Sequence, residues 1–175
     1  LSSTIRFKIG EHSEPNLLRM TIPGRFFLQK FLARAVAAQC DIAFIELTSE
    51  GARQHRHRAL QLDALLFLNL APEHIESHGS YEAYADAKFE LGAQLVRSHK
   101  RPRYMVVNGE DKEANRYLML PVEHVLPFAL HAVPFDTSEK GGHFTFDSIP
   151  ITVHFPGEFS LANALAAATL MFAMG

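Results

Sequence analysis

The fifteen residues Leu65 to Gly79, Leu-Leu-Phe-Leu-Asn-Leu-Ala-Pro-Glu-His-Ile-Glu-Ser-His-Gly, constrain this chain more than any other stretch. An apolar run short enough for a buried strand stops at Asn69, and the loop that follows carries two carboxylates and two imidazoles before a glycine closes it. In open α/β sheets, polar residues that meet ligands sit just past the carboxyl ends of buried strands, where the chain leaves the core while still held by it. Glu73, His74, Glu76 and His78 occupy such a position.

Two further segments repeat the pattern. Asp41 to Leu47 reads as an almost continuously apolar strand, covered on both faces, that carries Glu46 near its end. A carboxylate there is costly without a partner. Tyr104 to Val107 reads as another strand and is ended by Asn108-Gly109-Glu110-Asp111. Between these strands lie helical patterns. Phe27, Leu28, Phe31, Leu32, Ala35 and Val36 recur at helical spacing after Pro23, which suits a first helical position. Ser80 is placed to cap a helix running to about Val96, whose apolar stripe of Tyr81, Tyr84, Leu91 and Leu95 has Lys88 at its centre. The ordinary reading of such a lysine is a stem packed on the core with its amine reaching water.

Elsewhere, Thr4 to Ile9 alternates as a strand with one wet face, and loop chemistry follows to Asn16. From Val125 the pattern changes to short β-like runs at Val125–Leu130, Gly142–Asp147 and Ile149–Phe155, which suggests an antiparallel annex at approximately 125–156. Ser160 then reads as the cap of an alanine-rich and leucine-rich helix that carries Asn163. Strands alternating with helices predict an α/β fold, a mostly parallel sheet flanked by helices with a small antiparallel annex, and a single domain.

Composition narrows the function classes. With 47% hydrophobic and 21% charged residues, 175 residues can bury one sizeable core. A net charge of -2 gives no field to attract nucleic acid or a membrane, and the basic clusters at Arg53–Arg58 and Arg97–Arg103 are short. Cys40 has no partner for an internal disulfide, and no signal peptide or membrane-length run is visible, so the expected location is the cytoplasm. The chain opens on Leu1 and stops at Gly175 directly after a helical pattern, which reads as a piece cut at both ends. Zinc would need three or four ligands at close spacing, and no cysteine pair supplies them. Glu46 with a loop imidazole suits a hard cation such as magnesium, which in turn implies a nucleotide substrate. No Gly-x-x-x-x-Gly-Lys-[Ser/Thr] loop is present in the 175 residues.

Seven motifs taken together carry a resemblance. Met20-Thr21-Ile22-Pro23-Gly24, Glu46-Leu47-Thr48-Ser49-Glu50-Gly51, Gln54-His55-Arg56, Asn69 to Gly79, Tyr84-Ala85-Asp86-Ala87-Lys88, Asn108-Gly109-Glu110-Asp111 and Gly157 to Asn163 resemble, in order and spacing, the central domain of the Mur ligase family. The likeness covers nearly the whole chain and is nearest to the member that adds the third residue of the peptidoglycan stem peptide. It implies an enzyme in which ATP phosphorylates the terminal carboxylate of a UDP-N-acetylmuramoyl peptide and the amine of an incoming amino acid then forms the amide. It implies that Glu46 and His74 hold Mg2+, and that Lys88 is carbamylated and serves catalysis with them. It also implies that Thr21, Thr48, Gln54 and Arg56 contact the UDP-muramoyl substrate and that Asn163 contacts adenine.

The sequence departs from the family pattern at four positions. Met20 and Ile22 stand where an asparagine and a threonine are usual, Glu73 stands for an aspartate, and Ser160 for an asparagine. The family's phosphate loop and C-terminal domain would lie before Leu1 and after Gly175. A folylpolyglutamate or cyanophycin synthetase-like ligase, and a non-catalytic module that binds a nucleotide-sugar, are the alternative readings.

Overall fold

The computed structural model describes residues 1–18, 20–71 and 75–175. It divides into two compact units, one of Leu1–Leu60 with His74–Gln94 and one of Gln61–Glu73 with Leu95–Gly175.

The first unit opens with a hairpin, β1 (Arg6–Ile9) paired antiparallel with β2 (His12–Pro15). β1 was expected, but β2 was not, because His-Ser-Glu-Pro has no apolar alternation and is exposed throughout. Phe7 is the buried residue of β1 and packs on Phe27 and Phe31 of α1 (Arg25–Ala37), with ring centroids at 5.0 and 5.9 Å. α1 starts after Gly24 and not at Pro23, because Gly24 takes φ 137, which a side chain would resist. Leu28, Phe31 and Ala35 are its buried face, whereas Val36 is exposed.

Asp41–Leu47 differs from expectation. The segment forms no extended strand and its Ile42 and Phe44 are exposed, with a single parallel bridge between Ile45 and Ser2. Ser2 N–H donates to Phe44 C=O and Glu46 N–H to Ser2 C=O, after which the chain turns at Thr4 and Ile5 into β1. A ladder needs a run of partners, and here the run is one residue long. A short helix, α2 (Ser49–Arg53), follows, with Thr48 as its N-cap.

The second unit holds a parallel sheet of β3 (Ala64–Phe67), β4 (Tyr104–Asn108) and β5 (His124–Phe128), in that order. Met105, Val106 and Val107 of the central strand are fully buried, each removal from water contributing roughly 1.5–3 kcal/mol. β5 therefore belongs to the parallel sheet and not to the annex, since the buried centre of β4 requires a neighbour on each side. The annex is a separate antiparallel sheet of β6 (Phe135–Ser138), β7 (Gly141–Phe146) and β8 (Ile149–Val153). Its β7–β8 turn puts Asp147 and Ser148 both at positive φ, the geometry of a tight hairpin.

Two short helices, α3 (Ile75–His78) and α5 (Ala114–Leu118), and two long ones, α4 (Tyr81–Arg97) and α6 (Glu158–Met174), complete the chain. Ser80 caps α4 as expected, its hydroxyl accepting from Ala83 N–H at 3.1 Å. Ser160 does not cap α6. The helix begins two residues earlier behind Gly157 at φ 89, and Ser160 Oγ instead donates to Pro156 C=O. Leu161, Leu165, Ala166 and Leu170 of α6 join Val106, Phe128, Leu130 and Phe144 in the core of this unit. No helix among the described residues is long and apolar enough to cross a membrane.

Candidate functional site

In the first unit, four of the expected site segments meet around α2. Gly51 makes this approach feasible, because a Cβ there would lie 2.4 Å from Ile22 Cδ1. Ile22 is buried against the helix, which brings the Met20–Gly24 segment beside Thr48 and Arg56.

Glu46 is exposed, and both of its oxygens are engaged by Thr4. Oε2 accepts from Thr4 N–H and Oε1 from Thr4 Oγ1, each at 2.8 Å. Thr4 Oγ1 also lies 2.8 Å from Thr21 Oγ1. A carboxylate can only accept, so the single hydroxyl hydrogen of Thr4 goes to Glu46 and Thr21 must donate to Thr4. The direction of the chain is Thr21 to Thr4 to Glu46, which leaves Thr21 with acceptor lone pairs to present.

Thr48 has the opposite character. Its oxygen accepts from Gly51 N–H at 3.2 Å, so its own O–H remains to donate outward. Gln54 donates from Nε2 to Glu50, which also accepts from Arg53 at 3.0 Å. These bonds from Arg53 and Gln54 hold the Glu50 carboxyl below its ordinary range. His55 then takes φ 55 and turns the chain back, with Arg56 N–H bonded to Gly51 C=O. Arg56 is thereby directed at Ile22 C=O, to which Nη1 donates at 2.6 Å, and at Met20 Sδ at 3.3 Å. The rest of its guanidinium fork keeps donors for an anion.

Lys88 is half-buried on α4, in the stripe whose Tyr84 and Leu91 are buried. His74, expected to share a metal with Glu46, lies outside the described residues, as does Glu73. No group of three or more metal-ligating side chains is assembled among the described residues. Glu46 by itself fits a magnesium ion, which keeps several waters and takes few protein ligands, since each carboxylate oxygen retains a lone pair after its bond to Thr4.

Sequence reasoning passed over one member of this unit. Thr4 gave no signal because it sits in a segment read only as a strand. His78, named from the sequence, bonds Ser49 Oγ at 3.1 Å and tilts against Tyr84 at 5.3 Å, which ties the end of α3 to α2.

The second unit carries a cleft of about 210 Å³ at the carboxyl ends of β3 and β4 and the start of α6. It is smaller than the ~300–1,000 Å³ of pockets that enclose a whole ligand, so it suits one end of a larger molecule. Asn163 lines it, together with Asn69, Asn108, Glu110, His131 and Phe159. Asn108 is fixed, donating to Leu68 C=O at 2.8 Å and accepting from Glu110 N–H at 3.0 Å. The Asn163 side chain makes no hydrogen bond among the described residues, and Phe159 is exposed at the rim. Asn69 after β3 and Asn108 and Glu110 after β4 therefore line one cleft, whereas Glu76, His78 and the Asp41–Leu47 segment belong to the other unit, and Glu73 and His74 lie outside the described residues.

Comparison with known proteins shows the family of the chain. The family profile described as the Mur ligase middle domain matches residues 2–171. The chain is 29% identical over 185 residues to the UDP-N-acetylmuramoyl-L-alanyl-D-glutamate–L-lysine ligase of Staphylococcus haemolyticus, covering 97% of this chain and 36% of that protein. It is likewise 29% identical over 187 residues to the corresponding 2,6-diaminopimelate ligase of Bacillus velezensis, covering 100% of this chain and 38% of the relative. A solved 2,6-diaminopimelate ligase structure superposes with a TM-score of 0.74 at 24% identity, over 94% of this chain and 36% of the other, a likeness of fold. The chain spans well under half the length of these curated relatives. It belongs to the Mur ligase family, and the part it matches is the middle domain.

Proposed function

We propose that the chain is the middle-domain portion of an ATP-dependent ligase that joins an amino acid to a UDP-N-acetylmuramoyl peptide through an acyl phosphate. The observation that carries this reading is the set of complementary groups around α2, where Thr21 offers acceptors, Thr48 a hydroxyl hydrogen and Arg56 the free side of a guanidinium. Such a surface suits a ligand that is both anionic and rich in amide and hydroxyl groups. The names of the relatives point to the same substrate class and to lysine or 2,6-diaminopimelate as the incoming amino acid.

In this reading Thr21, Thr48, Gln54 and Arg56 bind and orient the muramoyl substrate. Glu46, with His74, holds Mg2+, whose charge when bound offsets that developing on the transferred phosphoryl group. Lys88 carries a carbamate: its neutral amine attacks carbon dioxide and loses a proton, which converts a cation into an anion. Asn163 receives adenine in the cleft at the head of α6, with Phe159 at its rim.

The test is phosphate release from ATP by the complete gene product that carries this chain. The expected result is release that requires both a UDP-N-acetylmuramoyl dipeptide and an amino acid. Release indifferent to the muramoyl peptide would contradict the proposal.

A further inference from the structure

Met20, one of the four departures from the family pattern, sets a thioether against the guanidinium of Arg56. The buried Asn16 fixes the backbone there, donating from Nδ2 to Met20 C=O at 3.0 Å and to Ser3 C=O at 2.8 Å. Arg56 Nη1 then donates to Met20 Sδ at 3.3 Å and to Ile22 C=O at 2.6 Å. Both hydrogens of that nitrogen are thereby committed, and the sulfur that takes one of them is a weak acceptor. Nη2 and Nε make no hydrogen bond among the described residues and are the donors left for an anion.

Met20 is 39% exposed, so a small oxidant reaches its sulfur. A thioether sulfur carries two lone pairs; Arg56 engages one, and the other stays open to reaction. Of the remaining methionines, Met105 is fully buried, and Met119, Met171 and Met174 are more exposed than Met20. The sulfurs of those three accept no hydrogen bond among the described residues. Oxidation at Met20 therefore differs from oxidation at the others in its consequence, because it changes the acceptor that a guanidinium holds.

We propose that Met20 is a site of reversible oxidation, at which hydrogen peroxide converts the thioether into a sulfoxide whose oxygen captures Arg56 and withdraws it from the muramoyl substrate. The inference rests on the proposed role of Arg56 in binding that substrate. The sulfur lone pair attacks one peroxide oxygen and the O–O bond breaks. The bonding pair leaves with the other oxygen, which takes the proton of the attacked one and departs as water. Sulfur thus loses two electrons and peroxide gains them. The reverse step needs two electrons from thiols, supplied by methionine sulfoxide reductases, and releases the oxygen as water. A sulfoxide is polar where the thioether is not, and its oxygen stands one bond beyond the sulfur, able to accept from Nη2 as well as Nη1. That charge-assisted bond competes for the donors that an anionic substrate would use.

The experiment measures by calorimetry how tightly the complete gene product binds a UDP-N-acetylmuramoyl dipeptide before and after hydrogen peroxide, with sulfoxide at Met20 followed by peptide mass. Oxidation should weaken binding about tenfold, the scale of one hydrogen bond to a charged group. Methionine sulfoxide reductases for both epimers should restore it. In steady-state assays the loss should fall on KM and leave kcat unchanged, which a general loss of structure would not do. Met20→Leu retains Met119, Met171 and Met174 and should bind equally before and after peroxide. Met20→Gln, whose amide oxygen stands in for the sulfoxide, should bind as weakly as the oxidised wild type without any peroxide. Unchanged affinity once Met20 is oxidised, absence of sulfoxide at Met20 when Met119 is converted, or an equal loss in Met20→Leu would overturn this inference while leaving the ligase reading intact. Failure of the untreated wild type to bind the dipeptide would overturn the two together.

Discussion

Thr4 donates to both oxygens of Glu46, through its backbone N–H and its hydroxyl, across forty-two positions of sequence. The same hydroxyl accepts from Thr21, so the orientation of the threonine proposed to face substrate is coupled to that of the proposed metal-binding carboxylate. Thr4→Val removes the hydroxyl and keeps the backbone bond. It should raise KM for the muramoyl peptide about fivefold, the order of one hydrogen bond near 1 kcal/mol. Steady-state kinetics on the complete gene product decide this, and an unchanged KM would remove Thr21 from the substrate surface.

A pH dependence of stability follows from Arg103, a buried arginine that closes the C-terminal end of α4. It donates to Leu95, Val96 and Pro121 carbonyls and forms a bidentate pair with Glu123 at 2.8 and 2.9 Å. The hydrogen bonds from Arg103 lower the Glu123 carboxyl from 4.5 to about 2. A carboxyl lowered on folding contributes stability that is fully present above its ordinary value and is lost as pH falls toward the folded one. Urea midpoints of the wild type and Glu123→Gln should therefore differ above about pH 5 and converge as the pH is lowered toward about 2. A difference of constant size across that window would contradict the assignment.

What the sequence made legible divides along the same lines as the physics. The β3–β4 pair and α4 were readable because apolar runs and a capping serine are local signals, and the structure returns both with nearly the expected bounds. Asp41–Leu47 was not, since an apolar run reports what a segment can bury and is silent on whether a ladder partner exists, and here that partner is Ser2 alone. The assignment of β5 to the parallel sheet depends in the same way on pairing between distant segments. At the site, Thr21, Thr48 and Arg56 were named through family motifs, whereas Thr4 and the Met20–Arg56 contact came to light through distances between residues far apart in sequence.

Gly141 gives a prediction about the annex. Its φ is +132, and an added Cβ would lie 2.0 Å from Val153 C=O in the neighbouring strand. Gly141→Ala combines overpacking with backbone strain and should cost about 2–4 kcal/mol. Gly10→Ala has positive φ but meets nothing within 4 Å and should cost about 1–2 kcal/mol. Chemical denaturation of the 175-residue chain compares the two, and equal losses would show that the β7–β8 contact is not as close as described.

Lys88 tests the carbamate. Lys88→Ala should leave the fold intact, since the side chain is half-buried and its loss empties no core, and should lower kcat by more than about a hundredfold. Arginine should not substitute, because a guanidinium stays charged and cannot take up carbon dioxide. Added formate or acetate should restore part of the alanine variant's rate by supplying the anion. A variant with near-normal kcat would reduce Lys88 to a packing residue.

In the proposed ligase, the carboxylate of a muramoyl peptide is activated by direct phosphorylation. A carboxylate oxygen attacks the γ-phosphorus of ATP and ADP leaves; the amine then attacks the acyl carbon, and the bridging oxygen departs with phosphate. The most direct measurement supplies the complete gene product with a UDP-N-acetylmuramoyl dipeptide whose terminal carboxylate is labelled with oxygen-18, and analyses the phosphate by mass. Direct phosphorylation should give phosphate that carries one labelled oxygen for each amide formed. Unlabelled phosphate produced alongside the amide would contradict it.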